Sequence, residues 1–394
     1  MDWNSRYAAR AHRINASEIR ELLKLLDRPG IVSFAGGIPD PALFPTDVVA
    51  AAHARILGDP ATARTALQYA VSEGYLPLRE WLVGHMARLG VACTPANILI
   101  TNGSQQALDF LAKLFVGPGD RVLAARPTYL GALQAFNAYE ADYGAFPGMG
   151  GEPGAGQGAK LAYLMPDFAN PSGRTLTLEE RRAALVTAAT LDVPVIEDAA
   201  YEQLHFDREP LPALLALDSA DRGIDAGRVI YCGTFSKTVV PGLRLGWIVA
   251  PRTVIEKLVL IKQASDLHTS CLNQMAMLDV AREIVPHHTA RIRAAYRARR
   301  DAMLAALERH MPPGVTWTRP AGGMFLWLTL PEQIDTARLL EQAIATANVA
   351  FVPGAAFFPD RSVRHALRLS FSLNPPDEIE QGISRLATAV RAFG

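Results

Sequence analysis

The chain's 394 residues, 49% of them hydrophobic, suffice for two domains or for one large α/β domain with a smaller lobe. Its 39 basic and 39 acidic residues cancel, so no net charge draws it to nucleic acid or an anionic membrane, and a small molecule is the expected partner. Cys93, Cys232 and Cys271 lie far apart in apolar surroundings, which fits reduced thiols in the cytoplasm better than a disulfide framework or a metal site.

No apolar stretch follows the charged N-terminus and no later run approaches a membrane span, so neither targeting nor anchoring is expected. Asn15, with Glu18 three residues on, predicts a helix through Ile19, Leu22, Leu23 and Leu26 that Pro29-Gly30 ends. After the loop 36–41 come amphipathic helices over Thr46 to Leu57 and Leu76 to Leu89. Asn97 to Thr101 reads as a strand entering Asn-Gly-Ser-Gln-Gln106 and a helix to about Phe115. Strands at Arg121 to Ala124, Leu161 to Met165, Pro194 to Glu197, Val229 to Tyr231 and Leu245 to Ala250 then alternate with helical stretches such as Glu179 to Thr190. Such alternation predicts an α/β fold with a mostly parallel, doubly wound sheet.

Between them, Gly144 to Gly158 reads as a flexible glycine-rich loop. Its glycine spacing is not the dinucleotide fingerprint, which disfavours a nicotinamide cofactor. Near Ala276 an Arg-rich helical stretch begins and runs through Arg309, with Pro286 as a break, before a short α+β segment. The expected division is a segment 1–45 contributing to the small lobe, a large cofactor-binding domain 46–285 and a small domain 286–394.

The chemistry concentrates at predicted strand ends, where an open α/β sheet exposes its site. Tyr231-Cys-Gly-Thr-Phe-Ser-Lys237, with Arg244 seven residues further on, sets an amine beside hydroxyls and a guanidinium. A lysine amine condenses with an aldehyde, and Ser236 with Arg244 suits a phosphate; pyridoxal 5'-phosphate (PLP) carries both groups. Ser104 opens a helix whose free N–H groups suit the same phosphate, although taken alone it is a plain N-cap. Asp198, after a strand, can keep a pyridine nitrogen protonated, with Asn170 and Tyr201 near the phenolic oxygen. Alone, Asp198 is a helix N-cap and Asn170-Pro-Ser-Gly173 a β-turn. Tyr129 can stack on a flat ring or simply pack. Arg368, in Leu367-Arg-Leu-Ser-Phe371, suits bidentate capture of a carboxylate or is a surface arginine on an edge strand.

Taken together and in this order, these motifs resemble the class I/II aminotransferases, PLP enzymes of fold type I. The likeness covers nearly the whole chain. Ser33 to Pro45, Leu67-Gln-Tyr69 with Glu73-Gly-Tyr75, and Asp266-Leu-His-Thr with Leu272-Asn-Gln274 resemble the 2-aminoadipate and kynurenine aminotransferase group. The resemblance implies that Lys237 is the Schiff-base lysine and proton shuttle, Asp198 the pyridinium partner, and Asn170 and Tyr201 the ligands of the ring oxygen. It implies that Tyr129 stacks on the ring and that Ser104, Gln105, Ser236 and Arg244 hold the phosphate, joined by Tyr69 from the neighbouring subunit of a homodimer. Arg368, with Gly37 and Asn170, would receive the substrate α-carboxylate, while Ser17 and Arg20 would receive a distal one. Thr234 stands where relatives often have serine, and relatives carry a longer segment with a helix at Gly144 to Gly158.

The reaction so implied is ping-pong transamination from an L-amino acid (2-aminoadipate, glutamate, aromatic or branched) to a 2-oxo acid such as 2-oxoglutarate. Two other readings use the same fold. A regulator that fuses a DNA-binding winged helix to it requires an extra basic domain, whereas only about fifteen residues precede the first predicted helix here. A PLP lyase, decarboxylase or oxidase would use Lys237, Asp198 and Arg368 equally well.

Overall fold

Short aliphatic runs, too brief for helices and apolar on both faces, become central strands once helices cover both sides of a sheet. A computed structural model describes residues 1–14, 30–152 and 154–393. Seven strands form its main sheet, six of them runs of this kind and one, β3, a polar, partly exposed edge strand: β1 (Ile98–Thr101), β2 (Arg121–Ala124), β3 (Asp142–Ala145), β4 (Leu161–Leu164), β5 (Val195–Asp198), β6 (Val229–Thr234) and β7 (Gly246–Val249). Their order is β1-β7-β6-β5-β4-β2-β3. Every pair is parallel except the two made by β7, which runs against both β1 and β6.

Alternate residues of each strand feed opposite faces, as the two-residue period requires. Ile196, Ile230 and Ile248 join one apolar core. Val195, Val229 and Val249 join a second on the other face. Helices Ser104–Phe115 and Leu178–Leu191 cover the sheet, the latter opened by a capping box in which Thr177 and Glu180 satisfy each other's backbone N–H.

A second, antiparallel sheet lies towards the C-terminus: β8 (Thr316–Trp317), β9 (Phe325–Thr329), β10 (Val352–Pro353) and β11 (Ala366–Ser370), in the order β10-β11-β9-β8. The early strand Val32–Ser33 pairs in parallel with Val349–Ala350, tying the segment after residue 30 to this part of the molecule. Helix Cys271–His310 packs on helix Pro376–Phe393, which also meets the paired strands Val32–Ser33 and Val349–Ala350.

Two expectations need revision. Pro286 does not break its helix, because Cys271–His310 is continuous. A proline inside a helix costs about 3 kcal/mol, and burial of Val285, Thr289 and Ile292 on either side offsets that cost. The stretch 144–158 is not wholly loop: Gly144 belongs to β3, whose backbone bonds to β2 outweigh glycine's weak strand preference. Beyond it, the buried Phe146 and a bridge between Pro147 and Gly151 organise a series of turns. The helix expected from Asn15, with Ser17 and Arg20, lies outside the described residues.

Among the described residues no helix is long and apolar enough to cross a membrane. Cys93, Cys232 and Cys271 are all free.

Candidate active site

Six strand ends meet at one edge of the main sheet. The chain leaves β1 towards Ser104, β2 towards Tyr129, β4 towards Asn170, β5 at Asp198 and β6 towards Lys237. Because β7 is antiparallel, its beginning lies at this edge, with Gly246 opposite both Thr101 and Thr234. Arg244 thereby arrives beside the ends of its neighbours. Ser104, Gln105, Tyr129, Asp198, Tyr201, Ser236, Lys237 and Arg244 line a single cavity there.

At one end stands Asp198, the last residue of β5 and therefore no helix cap. Its Oδ2 accepts from Tyr163 Oη at 2.7 Å and its Oδ1 from the Ala200 N–H at 3.3 Å. Burial pushes the carboxyl up to about 6, against the pull of these donors and of Lys237. A buried carboxylate facing a cavity suits a protonated ring nitrogen.

Lys237 projects into the same cavity. Burial, then the positive charges of Arg368 and Arg244, lower its amine to about 8, with Asp198 acting in the opposite direction. Its Nζ donates to the Gly37 carbonyl at 3.1 Å and lies 5.8 Å from the centre of the Tyr201 ring. An amine lowered to about 8 holds roughly a tenth of itself as free base at pH 7, far more than an ordinary lysine does, which suits a nucleophile and proton acceptor.

The other end is a cradle. Gly103, at φ +79°, is the N-cap residue of the helix, so Ser104 is its first turn and makes no side-chain hydrogen bond among the described residues. A Cβ on Gly103 would lie 2.6 Å from Arg244 Nη2, and one on Gly246 would lie 2.8 Å from Ser104 N. Gly246 faces backbone and must be glycine for the chains to approach this closely, while at Gly103 the left-handed backbone is what favours glycine. Arg244 holds a left-handed backbone (φ +54°), which costs about 1–2 kcal/mol for a residue with a side chain. Its guanidinium is tied to the carbonyls of Pro241 and Asn102 at 3.2 and 3.4 Å. Thr234 Oγ1 bonds both Ser236 Oγ and Ser236 N, at 2.9 and 3.1 Å, aiming that serine. Free helix N–H groups, two hydroxyls and a guanidinium form a phosphate-binding donor set.

Arg368 lies on β11, an interior strand of the small sheet, and is 1% exposed, so it is not an edge-strand surface residue. Nη1 donates to Asn170 Oδ1 at 2.8 Å and Nη2 to the Ala35 carbonyl at 2.6 Å. Its carbon Cζ sits 4.3 Å from the centre of the Phe325 ring, and Nε has no partner among the described residues. Among the described residues no carboxylate pairs with it. Burial lowers it to about 10, and a desolvated cation with an orphaned N–H is a receptor for an incoming carboxylate. Phe325 also packs edge-on against Tyr201 at 5.6 Å. Tyr129, whose hydroxyl burial pushes up to about 12, and Gln105, whose Nε2 donates to the Gly131 carbonyl at 2.8 Å, complete the wall.

Tyr69 is not in this cavity. It is 79% exposed and meets His268 edge-on at 6.0 Å. Tyr163, Thr234, Gly103 and Phe325 are parts of the site that the sequence reading left without a role. A tyrosine inside the apolar strand Leu161–Leu164 was the available signal for the first, since a buried hydroxyl needs a partner. Among the described residues no group of three or more histidine, cysteine or acidic side chains is placed to hold a metal. The donors present fit an aldehyde-bearing, phosphorylated pyridine: an amine, a carboxylate at one end, and a glycine-floored phosphate cradle at the other.

Comparison with known proteins agrees with this chemistry. A family model described as aminotransferase class I and II matches residues 31–147 and 165–386. The chain is 40% identical to the 2-aminoadipate transaminase of Thermus thermophilus, over 100% of this chain and 98% of that one. It is also 40% identical to aromatic-amino-acid aminotransferase 1 of Thermococcus litoralis, over 99% and 95% of the two chains. Among solved structures it is similar to the alpha-aminoadipate aminotransferase of Thermus thermophilus complexed with N-(5'-phosphopyridoxyl)-L-leucine. The TM-score is 0.91 at 39% identity, covering 100% of this chain and 99% of that one.

Proposed function

The chain belongs to the class I and II aminotransferases, PLP-dependent enzymes of fold type I, and on that premise we propose how its own residues divide the work. The observation that carries the assignment is one cavity holding a depressed lysine amine, a buried carboxylate and a phosphate cradle, beside a buried arginine that meets no carboxylate among the described residues. When bound there, PLP supplies an aldehyde for amine exchange and a ring that accepts the electron pair left when a Cα proton departs.

Ser104, Gln105, Ser236 and Arg244 would hold the phosphate, Asp198 would keep a proton at the ring nitrogen, Asn170 and Tyr201 would serve the ring oxygen, and Tyr129 would stack on the ring. Arg368, steadied by Asn170 and by the strap carrying Ala35 and Gly37, takes the substrate α-carboxylate and so fixes Cα within reach of Lys237 Nζ. Lys237 would then take the Cα proton and deliver it to the carbon of the former aldehyde rather than back to Cα, its pKa of about 8 serving both transfers.

The substrates we propose are 2-aminoadipate, glutamate, aromatic and branched L-amino acids, with 2-oxoglutarate as acceptor; the names of the relatives support 2-aminoadipate and the aromatic amino acids within this range. We assign residues 46–285 to the cofactor domain and 1–45 with 286–394 to a smaller one. The enzyme works as a cytoplasmic homodimer in which the exposed Tyr69 completes the partner subunit's phosphate site. Free cysteines accord with a reducing compartment.

The test is a panel of L-amino acids against 2-oxoglutarate, following the 2-oxo acid product, glutamate, ammonia and carbon dioxide. Equimolar 2-oxo acid and glutamate with parallel double-reciprocal lines is the expected result. Ammonia or carbon dioxide as the main product would reject transamination, and full turnover by Lys237→Ala would reject the role of that lysine.

A further inference from the structure

The segment Asp266 to Gln274 carries two of the sequence motifs noted above and touches none of the reacting groups. It nevertheless reaches both sides of the phosphate cradle. Asp266 follows the helix Arg252–Ser265, and its Oδ2 accepts from Asn102 Nδ2 at 2.5 Å and from Gln106 Nε2 at 2.8 Å. Lys262, one helical turn earlier and 0% exposed, donates to both Asp266 oxygens and to Gln106 Oε1, each at 3.0 Å. Gln106 Oε1 in turn accepts the Asn102 N–H at 2.8 Å. Asn102 is thus held by its backbone and its side chain, and its carbonyl meets Arg244 Nη2 at 3.4 Å.

From the other end of the segment, Asn273 Nδ2 donates at 3.2 Å to the carbonyl of Leu243, the residue before Arg244. Gln274 Oε1 accepts the Tyr75 N–H at 2.7 Å, and His268 rests on the Tyr69 ring. One stretch of chain therefore sets the Asn102-Gly103-Ser104 turn, the Arg244 loop and the segment that presents Tyr69.

A buried lysine is costly unless its charge is met, and a solvated surface pair would not need three further hydrogen bonds to amide groups. We propose that Asp266, held by Lys262, is the positioning residue of the phosphate cradle, fixing the Asn102-Gly103-Ser104 turn where Arg244 and the helix N-terminus converge. The inference rests on the reading of that turn as the phosphate site. It makes Asp266 a determinant of how strongly the enzyme prefers a phosphorylated cofactor, without any contact to the reacting atoms.

The experiment compares binding of PLP and of pyridoxal, which lacks the phosphate, to apoenzyme by absorbance titration. Wild-type protein is set beside Asp266→Asn and beside the double variant Lys262→Met, Asp266→Ala, which leaves no lone buried charge if the single variant folds poorly. The expected result is a loss of PLP affinity of about ten- to a hundred-fold, with pyridoxal affinity unchanged within about twofold and with Lys262→Arg restoring most of the preference for PLP over a Lys262→Met variant. Equal losses for both ligands, or unchanged PLP affinity, would overturn the proposal. A wild-type protein that binds pyridoxal as tightly as PLP would instead reject the phosphate site itself.

Discussion

Tyr163 Oη donates to Asp198 Oδ2 at 2.7 Å, across the adjacent strands β4 and β5, with both side chains buried. Removing that donor leaves the carboxylate less satisfied. Tyr163→Phe is expected to raise the Asp198 carboxyl further and to lower kcat/KM by about ten-fold or more, the worth of a hydrogen bond to a charged group. The acid limb of its pH profile moves to higher pH. A limb in the wild-type position would show that this hydroxyl does not tune the carboxylate.

Asp198 also gives the apoenzyme a pH-dependent stability of definite sign. Its folded value of about 6 lies above its ordinary value of 3.8, so between the two the native state keeps a proton that the unfolded chain has released. This contribution therefore falls as pH rises from about 4 to 6 and is flat beyond. Melting temperatures of apoenzyme across that window, wild type against Asp198→Asn, should differ in slope, with the variant lacking this loss.

Lys237, lowered from 10.5 to about 8, must be unprotonated to attack an aldehyde. The rate at which apoenzyme captures the aldehyde of PLP, read by absorbance, should rise with pH to a midpoint near 8. Replacing Arg368 by methionine removes one of the charges that lower the amine, and the midpoint should move upward. A midpoint near 10 in wild type would mean that burial and the two arginines do not depress this lysine.

Arg368→Met should separate stability from activity. The guanidinium is buried and meets no carboxylate among the described residues, so methionine relieves a desolvation cost and the apoenzyme should melt at the same temperature or higher. Loss of the partner for the substrate carboxylate should lower kcat/KM roughly 30-fold to several thousand-fold, as for truncation of a buried charge pair. Amines without a carboxylate should lose far less.

Tyr69 offers a test of shared sites. If each subunit lends it to the other, a dimer mixed from Lys237→Ala and Tyr69→Ala chains contains one site with both residues intact. Mixing two weakly active preparations should then restore up to about one quarter of wild-type activity per site in a random mixture. Absence of any recovery in verified mixed dimers would place Tyr69 outside the neighbour's site.

The site was legible in sequence because its parts follow apolar runs. Ser104, Asp198 and Lys237 each stand at the end of a short aliphatic stretch, and a parallel sheet brings such ends to one edge. Arg368 carried two readings that pattern alone could not separate, and the pairing of β11 on both sides decides between them. Tyr163 was hidden because a tyrosine among Leu161, Ala162 and Leu164 has the composition of core, and only its alignment beside β5 shows what its hydroxyl meets. Pro286 misled because a local penalty was weighed without the tertiary packing that outweighs it. Strand direction has no local signature either, so the reversal of β7 had to be seen.

That reversal makes chain length between Lys237 and Arg244 a gauge. Both residues sit on the connection from β6 back into β7, and the pairing of Thr234 with Gly246 pins its two ends. A residue inserted or deleted within 238–243 would carry the guanidinium off the cradle while leaving the amine in place. A change of loop length, cheap in most surface connections, would therefore cost this chain its phosphate grip, and the seven-residue interval matters as much as the two side chains it separates.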